Sequence, residues 1–301
     1  MLNQRPGHCQ RLQTNNNFIF LLFTLLFLFI SNVAADPIDD FPDAASKQAY
    51  ANFLIDSEEY NTVYRLNFYD YDKSENSLNL PCSFDLSPPY NSVEKCVKDL
   101  LKDSGWLIIG DSHGRDLYNS IKMIYPKQNI AMFQMSSCAP TKYKTKGKIC
   151  FEHLPEIINF INSSDSVKKV IFASRFQREP GTNQFIEEVR QGLYKKDIII
   201  FNSGPAIEPD PISYIKQQGI KDKYLISEKA TKTVQAVNEK LNSTLSSNVK
   251  IFDKYAVFCD VNGACKLLNN LHVLYRDYDS HLLKDGMKIY SEAIKRSKIL
   301  E

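Results

Sequence analysis

Five short apolar runs, interleaved with longer amphipathic stretches, constrain this chain more than any other feature. They are Trp106–Gly110, Asn129–Gln134, Lys169–Ala173, Asp197–Asn202 and Val249–Phe252. Each is mostly β-branched or aromatic and lacks polar alternation, the pattern of strands buried on both faces. Helix candidates lie between them near 114–123, 154–162, 184–194 and 227–245, with a last one near 285–297. Strand–helix alternation predicts a three-layer α/β/α domain built on a doubly wound, mostly parallel sheet of about five strands. In such sheets ligands bind at the carboxyl ends of the strands.

The regular pattern begins near Cys82, which places the domain at 82–301. Residues 36–81 are acidic and aromatic and read as an irregular N-terminal segment. Residues 1–35 contain the apolar run Phe18–Ile30, preceded by Arg5 and Arg11 and followed by small residues Val33, Ala34 and Ala35. That is the pattern of a signal peptide; an uncleaved membrane anchor is the alternative, and both send the rest of the chain into the secretory pathway. Beyond the leader, 35 basic and 35 acidic residues remain. A neutral body argues against nucleic acid, which needs a concentrated positive surface.

Six cysteines follow the leader: Cys82, Cys96, Cys138, Cys150, Cys259 and Cys265. An even number behind a secretory leader points to disulfides, and six allow 15 pairings. Proximity along the chain favours 82–96, 138–150 and 259–265. No Cys-x-x-Cys pair or histidine cluster supports a metal, and no cofactor motif is present. Sequons at Asn162 and Asn242 are glycosylation candidates.

Gly110-Asp111-Ser112-His113 falls where the first strand ends and the first helix begins. A serine there projects at the mouth of the sheet, and the N–H groups opening the helix favour a developing oxyanion. Gly110 permits the tight turn. Asp111 or Ser112 could equally serve as a helix cap. A serine hydroxyl becomes a good nucleophile only when a base takes its proton. His113 adjoins the serine, but neighbouring side chains at a helix start diverge. His153 and His272 are read as having no acidic partner nearby. His281 follows Asp277-Tyr278-Asp279-Ser280, in a loop that can return to the end of the first strand, where an acid can orient the imidazole.

Taken together, these motifs resemble the SGNH hydrolase superfamily, and within it the SGNH domain found at the extracytoplasmic end of acyltransferase-3-type membrane O-acyltransferases. The blocks that carry the resemblance over about 82–296 are Gly110–His113, Ser137-Cys138-Ala139-Pro140, Ala173-Ser174-Arg175-Phe176, Gly204-Pro205, Cys259–Cys265 and Leu274-Tyr275-Arg276-Asp277…His281-Leu282. The resemblance implies a flavodoxin-like fold, Ser112 as nucleophile and His281 as its base. Two positions depart from the pattern. The usual acid stands three residues before the histidine, where this chain has Tyr278; the frame favours Asp277, with Asp279 as the alternative and a Ser–His dyad as a third option. The superfamily's asparagine block has none here, so Ser136 or Ser137, beside the Ser112 N–H, is the oxyanion candidate. Arg175 is either a substrate-binding residue or a surface salt-bridge partner. The expected function is O-acyl transfer or acetyl-ester hydrolysis on carbohydrate hydroxyls through a seryl ester. The acyl group would come from a separate membrane protein, or the domain would act alone. The alternative is a catalytically degenerate scaffold that binds glycans; a secreted lipase-like enzyme ranks below both, because no apolar lid is evident.

Overall fold

A computed structural model describes residues 40–69, 90–135, 137–145, 148–176, 181–245 and 249–301. The leader, Cys82 and Ser136 lie outside the described residues. Phe41–Glu301 form one compact unit. Its centre is a five-stranded sheet of β1 (Gly105–Gly110), β2 (Ile130–Gln134), β5 (Val167–Ala173), β6 (Asp197–Phe201) and β8 (Lys250–Phe252), in the order β2-β1-β5-β6-β8. Every pairing is parallel. Short antiparallel pairs join β3 (Tyr143–Thr145) to β4 (Lys148–Cys150), β7 (Tyr224–Leu225) to β9 (Ala264–Cys265), and β10 (Leu268–Asn269) to β11 (His272–Val273).

Alternation along the strands divides the core. Ile108 and Met132 face one layer with Leu117 and Ile121 of the Ser112–Ile124 helix and Met287, Tyr290 and Ile294 of the Lys284–Ser297 helix. Leu107, Ile109 and Phe133 face the opposite layer, with Val97, Ile157, Ile161, Phe185 and Val189 from the Tyr90–Leu100, Leu154–Ser163 and Gly181–Arg190 helices. This is the three-layer, doubly wound α/β fold expected from the apolar runs. Because β1 lies between β2 and β5, the winding reverses beside it, and that reversal opens a crevice at the strands' carboxyl ends.

The segment read as irregular contains a 26-residue helix, Ala44–Tyr69. No glycine or proline interrupts it. Asp43 caps its start by accepting from the Ser46 N–H at 2.8 Å. Its buried positions, among them Ala49, Asp56 and Tyr60, are separated by polar residues and include a carboxylate, so the apolar stripe is thin in the sequence. Packing supplies what periodicity lacks: the helix lies against His272–Val273 and the short helix Pro211–Gln218.

Disulfides join Cys138 to Cys150 and Cys259 to Cys265. Cys96 is also disulfide-bonded. These bonds belong to an oxidising extracellular or lumenal setting. Among the described residues, no helix is long and apolar enough to cross a membrane. The Asn162 side chain bridges two backbone groups, donating to Leu193 O and accepting from Lys195 N–H, both at 2.8 Å. Asn242 is half-buried on the Glu228–Leu245 helix.

Candidate active site

The strand register puts Gln134, Gly110, Ala173, Phe201 and Phe252 in one row across the carboxyl edge of the sheet. Polar residues follow directly after most of these positions. Gly110 is required by close packing rather than by an unusual backbone angle, since a Cβ there would stand 1.8 Å from Ala173 O. Two residues on, Ser112 opens its helix.

Asp111 is the N-cap of that helix, and its buried carboxylate also spans the crevice. Oδ1 accepts from His113 N–H at 2.9 Å. Oδ2 accepts from Ser174 Oγ at 2.8 Å and from Arg175 N–H at 2.9 Å. Ser174 Oγ lies 3.1 Å from Cys138 O. One aspartate thus ties together the Ser112 turn, the turn after β5 and the Cys138 segment. Burial raises the Asp111 pKa above its ordinary value, opposed by these hydrogen bonds and by His281. Capping by Asp111 leaves Ser112 free of that duty. The Ser112 N–H makes no hydrogen bond to any described residue and sits at a helix N-terminus.

His281 comes from the loop ahead of the last helix. Its Nε2 lies 2.6 Å from Ser112 Oγ. Its Nδ1 lies 2.8 Å and 3.0 Å from the two oxygens of Asp277, so a proton on Nδ1 is shared between them. Asp279 instead pairs with Arg175. The loop thus brings the aspartate four residues before His281, not the one two before it, to the imidazole. Ser280 is left-handed, with φ of 63°, and Asp277 also accepts from the His281 N–H at 3.3 Å. Burial alone would lower the His281 pKa. The hydrogen bond with Asp277 and the charges of Asp116, Asp277 and Asp111 outweigh it and raise the imidazole above 6.5. For Asp277, burial acts upward, but its bonds and charge interaction with His281, aided by Arg276, leave it below the usual carboxylate value.

Three histidine expectations need correction. The His113 side chain does not diverge from the site: its ring stacks on His281 at 4.7 Å, because the returning loop lies across the start of the helix. Burial, with Lys254, His281 and Arg175 nearby, holds His113 well below the ordinary histidine range, so it is a neutral platform. His272 does have an acidic partner, Asp56 at 2.9 Å, delivered by a helix 216 residues away in sequence. His153 faces Glu156 at 3.9 Å on a half-exposed surface.

A shallow recess of about 20 Å3 lies over the serine, lined by Asp111, Ser112, His113, Ser137, Arg175, Asp279 and His281. That is room for a group of water size. Ser137 is left-handed, with φ of 61°, and borders the recess. Sequence reasoning missed Asp116, which is fully buried and whose Oδ2 accepts from Leu282 N–H at 3.0 Å. No motif marks it; its only sequence signal is an acid on the inward face of the nucleophile helix. Among the described residues, no group of three or more His, Cys, Asp or Glu side chains is arranged to hold a metal ion.

A doubly wound sheet with Ser112 at the turn after its first strand, and a His–Asp pair returned from the C-terminal loop, defines an SGNH hydrolase domain. The chain belongs to the family described as SGNH domain (fused to AT3 domains), which matches residues 81–296. No curated protein matches the sequence at a significant level. Several solved structures are similar to the chain. A carbohydrate acetylesterase family member from Sinorhizobium meliloti is 9% identical, with a TM-score of 0.40 over 65% of this chain and 98% of that one. The C-terminal catalytic domain of peptidoglycan O-acetyltransferase A from Streptococcus pneumoniae is 11% identical, with a TM-score of 0.36 over 65% of this chain and 92% of that one. A putative arylesterase from Agrobacterium tumefaciens is 12% identical, with a TM-score of 0.38 over 65% and 99%.

Proposed function

We propose that this protein is a serine-dependent O-acyl esterase or acyltransferase acting on acylated carbohydrate hydroxyls. The observation that carries the reading is the unbroken chain from Asp277 through His281 to Ser112 Oγ, at 2.8 Å and 2.6 Å. Ser112 Oγ attacks the ester carbonyl carbon while its proton passes to His281 Nε2. Asp277 holds the Nδ1 proton in place and stabilises the imidazolium. Negative charge on the former carbonyl oxygen is met by the Ser112 N–H at the helix start, with Ser137 and the neighbouring Ser136 as further donor candidates. Collapse of this intermediate expels the alcohol, which takes the proton from His281, and leaves a seryl ester. A second hydroxyl, from water or a sugar, then gives its proton to His281 and attacks the ester, restoring Ser112. Arg175, which lines the recess and pairs with Asp279, is the candidate to meet a hydroxylated or acidic group of the substrate. The family's association with membrane acyltransferase domains supports an acyl donor delivered by a separate membrane protein.

Release of acetate from p-nitrophenyl acetate and from an acetylated glycan tests the reading. Wild-type turnover is expected, with a loss of roughly a thousandfold or more in Ser112→Ala. Equal rates for the two proteins would refute it. Glycan binding by a protein without turnover would instead support a degenerate binding scaffold.

A further inference from the structure

Two residues beyond Phe252, in the same row of strand ends that presents Ser112, stands Lys254. It is 2% exposed, and its Nζ makes no hydrogen bond with any described residue. An ammonium in that position is costly unless nearby charge offsets it. Its backbone is fixed, with the N–H donating to Asn202 Oδ1 at 2.8 Å. Its stem runs beside Gly204. A Cβ on that glycine would lie 3.1 Å from the lysine Cε and 3.4 Å from Ser280 Oγ, so the stem lies close to the residue preceding His281. Its Nζ is 5.3 Å from the centre of the Tyr290 ring.

The charges that act on Lys254 are those of Asp116 on the Ser112–Ile124 helix, Asp111 at its cap and Asp277 in the histidine loop; Lys254 acts in turn on His113, and the Tyr290 ring of the last helix is the aromatic group beside its Nζ. Burial lowers the lysine pKa, and Asp116, Asp111 and Asp277 pull it back up. The same three carboxylates act on His281. Lys254 and the imidazole therefore share their counter-charges.

We propose that Lys254 is a positioning residue of the active centre: its enclosed ammonium balances Asp111, Asp116 and Asp277, so that these carboxylates do not hold a proton on His281 when the base is needed. The role in turnover rests on the serine-esterase reading above; the charge balance itself does not. Removing the ammonium leaves the charges of three carboxylates acting on one imidazole. That favours the charged imidazole, which cannot accept the serine proton.

The test is an NMR titration of His281 in the full chain carrying Ser112→Ala, with the resonance assigned by its loss in His281→Gln. Lys254→Met is expected to raise the His281 midpoint by about one unit, and Lys254→Arg to leave it close to the parent value. In the Ser112 protein, the acid limb of kcat/KM for p-nitrophenyl acetate should move upward by the same amount in Lys254→Met. Lys254→Gln replaces the Met variant if the latter does not fold. An unmoved midpoint in a folded Met or Gln variant overturns the proposal. If the wild type has no esterase activity, the functional reading fails separately, and the NMR midpoint still decides the charge balance.

Discussion

The two ends of the proposed catalytic chain are built differently. The nucleophile turn, 110–113, is local: a strand ends, a glycine fits against the neighbouring strand, an aspartate caps a helix, and Ser112 follows. The histidine loop, 274–283, is held by groups distant in sequence. Asp116 accepts from the Leu282 N–H, and Ile207 N–H donates to Tyr278 O at 3.0 Å. Its own backbone adds Arg276 N–H to His281 O at 2.8 Å and Leu283 N–H to Leu274 O at 2.9 Å. A local turn places its residue mainly through its own strand end and cap. A returned loop needs anchors, and one of those anchors sits on the nucleophile helix itself. The two ends are therefore mechanically coupled through Asp116.

Substitutions can break this comparison at graded strengths. The largest effect is expected at the reacting pair, where His281→Ala should lower kcat/KM for p-nitrophenyl acetate roughly a thousandfold or more, as Ser112→Ala does. Asp277→Asn should come next, at about a hundredfold or more, because the amide no longer fixes the Nδ1 proton. Asp279→Asn should cost about tenfold or less, mainly in KM, because Asp279 contacts Arg175 rather than the imidazole; steady-state kinetics of the two variants side by side separate them. An equal loss in both would remove the distinction between the two aspartates.

Stability measurements probe the scaffold. Gly110→Ala should cost about 3 kcal/mol in denaturant unfolding, since its Cβ has no room against Ala173 O. Opening the Cys138–Cys150 bond, which closes a separation of 12 residues, should cost about 3 kcal/mol on loop-entropy grounds.

The smallest shift is in pH. Because the His281 pKa is raised, the neutral base is lost as pH falls through a value above 6.5, so the acid limb of kcat/KM should inflect above 6.5. Asp277→Asn should move that inflection downward, because the carboxylate that favours the charged imidazole is gone. A wild-type inflection below 6.5 would mean that burial, not the carboxylates, dominates at His281.

What the sequence made legible follows the same division. The strand-to-helix junction at Ser112 could be read because the strand end, glycine, cap and serine that form it are neighbours in the chain, although Ser174, Arg175 and Ala173 also hold it, and the apolar runs named the sheet because each is continuous in sequence. His281 became visible only through ordered resemblance blocks, whose frame favours Asp277 over Asp279; in the structure Asp277 lies beside His281 and Asp279 beside Arg175. Asp116, His113 and Lys254 look like ordinary helix residues in sequence. Their burial depends on a loop that arrives more than 150 residues after the first two. The Ala44–Tyr69 helix was missed because its inward face includes Asp56, whose partner His272 is supplied by tertiary structure. Long-range burial of polar groups is the element that periodicity cannot register.

The most direct test of the account is covalent. A fluorophosphonate probe should label the full chain with one equivalent, with the adduct mapped by mass spectrometry to the peptide bearing Ser112, and labelling should fall sharply in Asp277→Asn while persisting in Asp279→Asn. Absence of labelling in folded wild-type protein, or an adduct on any other residue, would contradict it.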